Sequence, residues 1–164
     1  MINMKYSIFL ITLIIFLYGC SNLPTGANRT RINIDYSNWN IFSSMHKITR
    51  KSIEAHLIGE DWVALSKDNY QYKFWFEDFD VKNQDNDYLV SIKFQLRNLE
   101  DSILISKFET INYKLTDELV QNIKKKAPHS LDVSNLENDE LVPSVLVGQK
   151  SVKILKDMLI KVIK

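Results

Sequence analysis

The sequence predicts an α+β domain: an antiparallel β-meander of about four strands, packed against a helix from the N-terminal half and a C-terminal helix. Three observations predict this class. Between residues 70 and 113, apolar and polar side chains alternate over long runs joined by short polar turns, which indicates antiparallel strands with one buried face. On either side of that region, apolar residues recur every three or four positions, as in amphipathic helices. The chain has one cysteine, so an apolar core must stabilise the fold without disulfides.

The first elements are a short strand and a helix. Residues 31–36 alternate isoleucine with polar side chains, which predicts a brief strand. Ser43 or Ser44 offers a side chain that can cap a helix, and Gly59 offers a stop. Apolar residues recur at helical spacing between these positions, so residues 43–58 are predicted to form an amphipathic helix.

The predicted meander follows this helix. Residues 62–65 form a short candidate strand, and residues 70–77, 88–97 and 103–113 form three alternating runs. The alternation shifts its phase near residues 78–79. This shift predicts a β-bulge, because one extra residue in a strand moves every later side chain to the other face.

Aromatic side chains occur on both faces of the first long run. One face is predicted to lie in the core and carries Tyr70, Tyr72, Phe74 and Phe76. Trp75 falls on the opposite face. Either a helix covers that face, or Trp75 is partly exposed and belongs to an interface, where tryptophan often anchors binding. Trp75 is therefore a candidate interface residue.

Two further helices are predicted near the C-terminus. Thr116–Glu118 begins a short helix whose last turn is Lys124–Lys126, and Pro128 prevents its continuation. Residues 129–143 are polar and acidic, which predicts a mobile loop. Ser144 then caps a last amphipathic helix, which is expected to pack on the sheet and close the domain.

The N-terminal segment has the organisation of an export signal. Lys5 precedes an almost wholly apolar stretch, Tyr6–Tyr18, which is followed by Gly19 and Cys20. As a helix this stretch would be about 20 Å long, short of the roughly 30 Å hydrocarbon core that an uncleaved transmembrane anchor must cross. The other alternative, an ordinary cleaved signal, would leave a lone thiol in an oxidising compartment.

The run Leu17-Tyr18-Gly19-Cys20 resembles the lipobox of bacterial lipoproteins. The resemblance implies that residues 1–19 are a signal peptide that is removed, and that Cys20 receives a diacylglyceryl group and an amide-linked acyl chain such as palmitate. Residues 20–30 would then form a lipidated tether, and residues 31–164 a single α+β domain. In this family Ser21, which is not Asp, implies sorting to the outer membrane facing the periplasm, with the inner membrane or the cell surface as alternatives.

Charge and motif content argue against several classes of function. Only Lys5 of the 21 basic side chains precedes Cys20, so the rest of the chain balances the 20 acidic ones and does not predict nucleic-acid binding. The sequence contains no phosphate-binding loop, nucleophile elbow or metal-ligand motif, so no enzyme activity, metal or cofactor is predicted. The three histidines, His46, His56 and His129, are not at ligand spacing.

The sequence therefore predicts a membrane-anchored, non-catalytic accessory or interaction subunit of the cell envelope. The order of its elements loosely resembles accessory lipoproteins of lipid-transport and lipopolysaccharide-assembly systems. That resemblance implies a protein partner in a lipid-transport or outer-membrane assembly complex. The alternative is a periplasmic module that binds a lipid or another small ligand, with the aromatic-rich sheet as one wall of the pocket.

Overall fold

A computed structural model describes residue 23, residues 28–40 and residues 42–163 of the chain. The predicted signal segment, Cys20 and Ser21 lie outside the described residues. In chain order the elements are β1 (Thr30–Asp35), α1 (Ser44–Ile58), β2 (Val63–Leu65), β3 (Tyr72–Gln84), β4 (Asp87–Arg97), β5 (Ile103–Lys114), α2 (Asp117–Lys126) and α3 (Asn138–Ile163).

The five strands form one mixed sheet in the order β2-β1-β3-β4-β5. The α+β class is confirmed, and β3, β4 and β5 are antiparallel neighbours, as the predicted meander requires. The prediction was wrong in two respects. The described sheet has five strands instead of about four, and β1 lies parallel to both of its neighbours, β2 and β3. The physical reason is the position of α1, because a helix that crosses over between two neighbouring strands makes them parallel.

The first two helices begin where the sequence predicts, and α1 begins at one of its two predicted capping residues. The Ser43 hydroxyl accepts a hydrogen bond from the His46 backbone N–H at 3.4 Å, and Gly59 follows the end of α1. The Thr116 hydroxyl accepts one from the Leu119 backbone N–H at 3.2 Å at the start of α2. α2 has acidic residues in its first turn and lysines in its last, so its side-chain charges complement the helix dipole.

The main core lies between one face of the sheet and the helices α1 and α3. Phe74, Phe76 and Phe94 are fully buried there, with ring centroids 4.7 to 5.8 Å apart. Tyr70 and Tyr72, which the sequence also predicts in the core, are half-buried. The remaining buried residues of this cluster include Ile32, Ile53, Leu57, Val90, Ile92, Leu96, Val147, Ile154, Leu155 and Leu159.

The last helix begins earlier than the sequence predicts. α3 starts at Asn138 and continues through Pro143, so only residues 127–137 connect it to α2. Ser144 lies inside the helix and does not cap it, and its hydroxyl hydrogen-bonds to the Thr49 hydroxyl at 2.8 Å. Burial of apolar side chains explains the difference, because it stabilises the additional turns despite the proline. These side chains form a second cluster: Val120, Ile123, Leu131, Leu141, Val142 and Val145.

The predicted irregularity in β3 is confirmed. The register between β3 and β4 shifts between Glu77 and Asp80, and Asp78 adopts a φ of 51° at this point. The bulge changes which residues face the helices, from Phe76 before it to Val81 after it.

One residue of the predicted tether belongs to the core. The sequence predicts a polar tether over residues 20–30, but Leu23 is 6% exposed and joins the main cluster. Leucine is the large apolar residue of that segment, and its burial is worth about 1.5–3 kcal/mol. Among the described residues, no helix has both the length and the apolar character needed to span a bilayer.

Candidate functional site

One face of the sheet has no helix packed on it in the described part of the chain. α1 packs against α3, and α3 against α2, so the helices lie on the side of the phenylalanine core. Side chains between the core positions point to the other face, because successive residues of a strand alternate. The registers align three rows there: Asp35, Trp75, Gln95 and Ser106; Asn33, Lys73, Arg97 and Ile103; Glu77, Lys93 and Phe108. We call this surface the charged face.

Trp75 lies near the centre of the charged face, and Arg97 covers it. The guanidinium carbon of Arg97 is 3.1 Å from the centroid of the Trp75 ring, which makes a cation–π stack. Trp75 is half-buried, and its indole N–H has no hydrogen-bond partner among the described residues. The sequence left open whether a helix covers Trp75. In the structure an arginine side chain covers it, and its role in an interface stays a prediction.

A series of side-chain hydrogen bonds fixes Arg97 over the indole ring. Nε and Nη2 of Arg97 donate to Gln95 Oε1 at 2.9 and 2.6 Å, and Gln95 Nε2 donates to Glu77 Oε2 at 2.8 Å. Lys93 Nζ lies 2.8 Å from the same Glu77 oxygen, and this hydrogen bond raises the pKa of Lys93. Gln95 is only 2% exposed, so these partners fix its amide. The stack is therefore positioned before any partner binds.

Lys73 orders the side of the charged face that lies beside Trp75. Its ammonium group is 3.7 Å from an Asp35 carboxylate oxygen and also forms an ion pair with Asp101. The hydrogen bond to Asp101 raises the pKa of Lys73 and lowers the pKa of Asp101. Asp101 is exposed, and solvent screens such a pair, so its contribution to stability is small. The pair joins the β4–β5 turn to β3.

The margin of the charged face along β5 is apolar. Ile103 pairs with Arg97 across the strands and is 54% exposed, and Phe108 pairs with Lys93 and is 60% exposed. β5 is an edge strand, and no described strand pairs with its outer side. Exposed apolar side chains beside an aromatic–arginine centre are typical of protein–protein interfaces.

The structure does not bring the three histidines together. His46 Nδ1 accepts a hydrogen bond from the Asn40 N–H at 2.8 Å, His56 lies between α1 and α3, and His129 is exposed after α2. No group of three or more His, Cys, Asp or Glu side chains within the described ranges is arranged to hold a metal ion.

A separate groove of about 920 Å³ lies at the tip of the β3–β4 hairpin. The Tyr88 and Tyr113 rings stack there with centroids 5.1 Å apart, and burial raises the pKa of Tyr113. The groove is open to solvent and is lined by polar and charged side chains as well as by these rings, including Lys82, Asn83, Asp87 and Lys114.

Sequence reasoning identified Trp75 but missed Arg97, Gln95 and Glu77. Alternation alone indicates that all four point to one face. Which of them meet depends on the register of β3 against β4, and the sequence does not specify that register. Arginine at an alternating position opposite an aromatic strand is the one signal that could have suggested the stack.

Comparisons with known proteins show a likeness of fold and no similarity of sequence. No protein-family profile matches the chain, and no curated protein matches it in sequence. The hypothetical protein CT253 from Chlamydia trachomatis is similar in structure, with a TM-score of 0.56 at 6% identity over 81% of this chain and 99% of CT253. PelC from Paraburkholderia phytofirmans, solved as a dodecamer, has a TM-score of 0.33 at 15% identity, covering 78% and 92% of the two chains. The likeness to PelC is too weak to show a shared fold.

Proposed function

We propose that this protein is a membrane-anchored envelope lipoprotein that acts as a non-catalytic accessory subunit and docks a protein partner on the charged face. The observation that supports docking is the Trp75–Arg97 stack on a sheet face that no described helix covers. Tryptophan and arginine are enriched among the residues that dominate binding energies at interfaces. Charged groups of both signs surround the stack, among them the pairs Lys73–Asp35 and Lys93–Glu77. A partner is therefore expected to place an opposite charge against each of these groups. A lipid-transport or outer-membrane assembly complex is the setting that the resemblance of element order implies.

The anchoring part of the proposal depends on the lipobox resemblance at Leu17–Cys20. Leu23 limits the distance between the proposed anchor and the folded domain, because its side chain is buried in the core only three residues after Cys20. Three residues of extended chain span at most about 11 Å. A lipid on Cys20 would therefore keep the domain against the bilayer surface. Ser21 supports an outer-membrane location facing the periplasm by the same resemblance.

Site-specific photo-crosslinking in cells tests the docking surface. A photoreactive amino acid at Asn33, which neighbours Lys73 on the charged face, is expected to form an adduct with an envelope protein. Adding W75A is expected to reduce this adduct at least about tenfold, because truncation of such an anchor costs 2 kcal/mol or more.

F42A is the matched control for W75A, because Phe42 is an aromatic residue that is 85% exposed outside the charged face. This variant is expected to leave the adduct unchanged. Circular dichroism and urea unfolding of both variants separate loss of the partner from loss of the fold. An adduct that is equally strong in the wild type and in folded W75A would contradict docking on this face.

Metabolic labelling with palmitate tests the anchor. The full chain is expected to incorporate label and to sediment with membranes, and C20S is expected to lose both properties. In a diderm host, S21D is expected to keep the label and to move the protein from the outer to the inner membrane. Label that persists in C20S would contradict lipidation at this residue.

The alternative function, a lipid or small-ligand module, assigned the aromatic sheet residues to a pocket wall. Phe74, Phe76 and Phe94 pack on one another in the core, so in this structure they do not line a pocket. A ligand would instead have to bind in the groove that Tyr88 and Tyr113 help to line, or at another surface. A lipid retained by the purified protein in native mass spectrometry would favour this alternative.

A further inference from the structure

The sequence of β5 is complementary to itself when it is read in the opposite direction. Counting outwards from Phe108, Lys107 corresponds to Glu109, Ser106 to Thr110 and Ile105 to Ile111. The charged pair is opposite in sign, the second pair consists of two hydroxyl residues, and the third of two isoleucines. In an antiparallel pair with Phe108 opposite Phe108, each of these residues would face its counterpart.

The faces of β5 agree with such a pairing. Ile105 pairs with Leu96 and Ile111 with Val90, so both isoleucines lie on the helix side of the sheet, where they are half-buried. Phe108 lies on the charged face, and 60% of it is exposed. A second β5 alongside the first would cover the exposed parts of the isoleucines on one side and pair the two phenylalanines on the other.

The outer edge of β5 is also available for pairing. The strand is 12 residues long, contains no proline and has no described strand on its outer side. The unpaired backbone groups of such an edge can bind another strand, and proteins often block this with proline, bulges or charges. In β5 the register shift against β4 lies near the start of the strand, opposite Leu96 and Arg97, and the charges Lys107 and Glu109 are opposite in sign, so they match a second copy of the strand.

We propose that two copies of this chain associate through antiparallel pairing of their β5 strands about a twofold axis at Phe108, forming a continuous ten-stranded sheet. Charge complementarity favours a second copy over an unrelated strand, because the twofold axis places Lys107 opposite Glu109 twice. Within one copy, Glu109 already forms ion pairs with Lys107 at 2.7 Å and Lys150 at 3.0 Å. The dimer would join these groups into one network of alternating charges. The proposal depends neither on the Cys20 anchor nor on Trp75.

Cysteine cross-linking of the full chain in membranes tests both the partner and the register. F108C is expected to cross-link to itself with a short thiol-reactive reagent. S106C and T110C are each expected to give little self-linkage, since equivalent positions would be about 13 Å apart along the strands. Co-expressed S106C and T110C are expected to form a mixed dimer.

The unmodified chain, which retains Cys20, gives the background for this experiment, and F42C is the matched exposed-phenylalanine control. F42C is expected to give no more cross-linked dimer than the unmodified chain. A cross-link from F108C to a different protein without a self-link would overturn the proposal in favour of a heterologous strand. Self-links of equal strength at F108C and F42C would overturn it as well.

Sedimentation of the detergent-solubilised full chain measures the strength of association. F108K, which would place two like charges opposite each other on the axis, is expected to weaken the dimer at least about tenfold. F42K is expected to leave the dissociation constant unchanged. Thermal unfolding of F108K checks that the monomer still folds. A monomeric wild type, or a dimer of unchanged strength in folded F108K, would overturn the proposal.

Discussion

At the scale of single residues, Gly148 determines how closely α1 and α3 can approach. A Cβ atom at this position would lie 2.5 Å from Ser52 Oγ and 2.6 Å from His56 Nδ1. It would also lie 3.0 Å from the Ser52 carbonyl oxygen, which belongs to the backbone and has little room to move. The close packing of α1 against α3 therefore requires glycine at position 148, because any side chain there would clash with α1.

We expect G148A to lower the free energy of unfolding by about 1–3 kcal/mol, the usual cost of overpacking a tight contact. Urea unfolding followed by circular dichroism measures this change. G59A is the matched control: its Cβ would be 3.5 Å from the nearest heavy atom, so a change within about 0.5 kcal/mol is expected. Equal stability of the two variants would show that the helices can move apart without cost.

The surroundings of His56 favour its neutral form over its charged form. Its Nδ1 is 2.7 Å from the Ser52 carbonyl oxygen, so Nδ1–H donates to that oxygen. Its Nε2 is buried, with no hydrogen-bond partner among the described residues. Burial lowers the pKa of His56, while the Ser52 hydrogen bond and the charge of Glu60 partly oppose this shift.

This lowered pKa predicts loss of stability in mild acid. An unfolded histidine titrates near pH 6.5, so below that pH the unfolded chain binds more protons than the folded one. The free energy of unfolding should fall as the pH drops below about 6.5 and level off below the folded pKa. Burial also lowers the pKa of His46, which adds to the slope in the same direction.

Urea unfolding between about pH 5 and 7.5 measures this slope. We expect H56Q to reduce the slope without removing it, since His46 remains. H129Q, which changes an exposed histidine, is expected to keep the wild-type slope. A wild-type slope in folded H56Q would assign the acid sensitivity to other groups.

At the scale of elements, local sequence patterns predicted some features of the β3–β4 hairpin and missed others. Alternation predicted both strands, their buried face and the bulge at Asp78. It did not predict that Arg97 stacks on Trp75, because that contact depends on how the two strands align after the bulge. Nor did it predict that β1 lies parallel to β3, because strands distant in sequence can pair in either direction.

A substitution in the turn of this hairpin can raise the stability of the protein. Asp85 and Asn86 have φ values of 53° and 67°, the pattern of a two-residue type I′ turn, which prefers glycine at its second position. We expect N86G to raise the free energy of unfolding by about 0.5 kcal/mol and N86V to lower it by at least about 1 kcal/mol, since a β-branched residue is strained there. Urea unfolding measures both. Equal stability of N86G and N86V would contradict the turn geometry.

At the scale of the whole molecule, the described residues form two apolar clusters of unequal extent. The main cluster joins the sheet to α1 and α3. The second joins α2 and the segment after it to the start of α3. α2 therefore depends on a smaller set of buried contacts than the central strands, and such units open locally at lower free energy.

Hydrogen exchange should resolve this difference. Backbone amides of α2 are expected to exchange faster than those of β4. I123A, which truncates a side chain buried in the second cluster, should accelerate exchange in α2 further, because losing such a side chain costs about 2–5 kcal/mol. β4 is expected to keep its protection in this variant. Equal protection of α2 and β4 in the wild type would mean that the two clusters unfold as one unit.

The sequence by itself determined the α+β class, most of the strands and helices, the cap of α1, the start of α2, and the self-complementary order of residues in β5. These features depend on side chains within a few positions of one another, and alternation and capping report such neighbours directly. Only the tertiary structure decided the strand order, the early start of α3 at Asn138, the burial of Leu23 and the Trp75–Arg97 stack. Each of these depends on contacts between residues far apart in the chain, which local patterns do not specify. The same applies to β5: its residues are complementary in the sequence, but only the sheet order shows that its outer edge has no described partner.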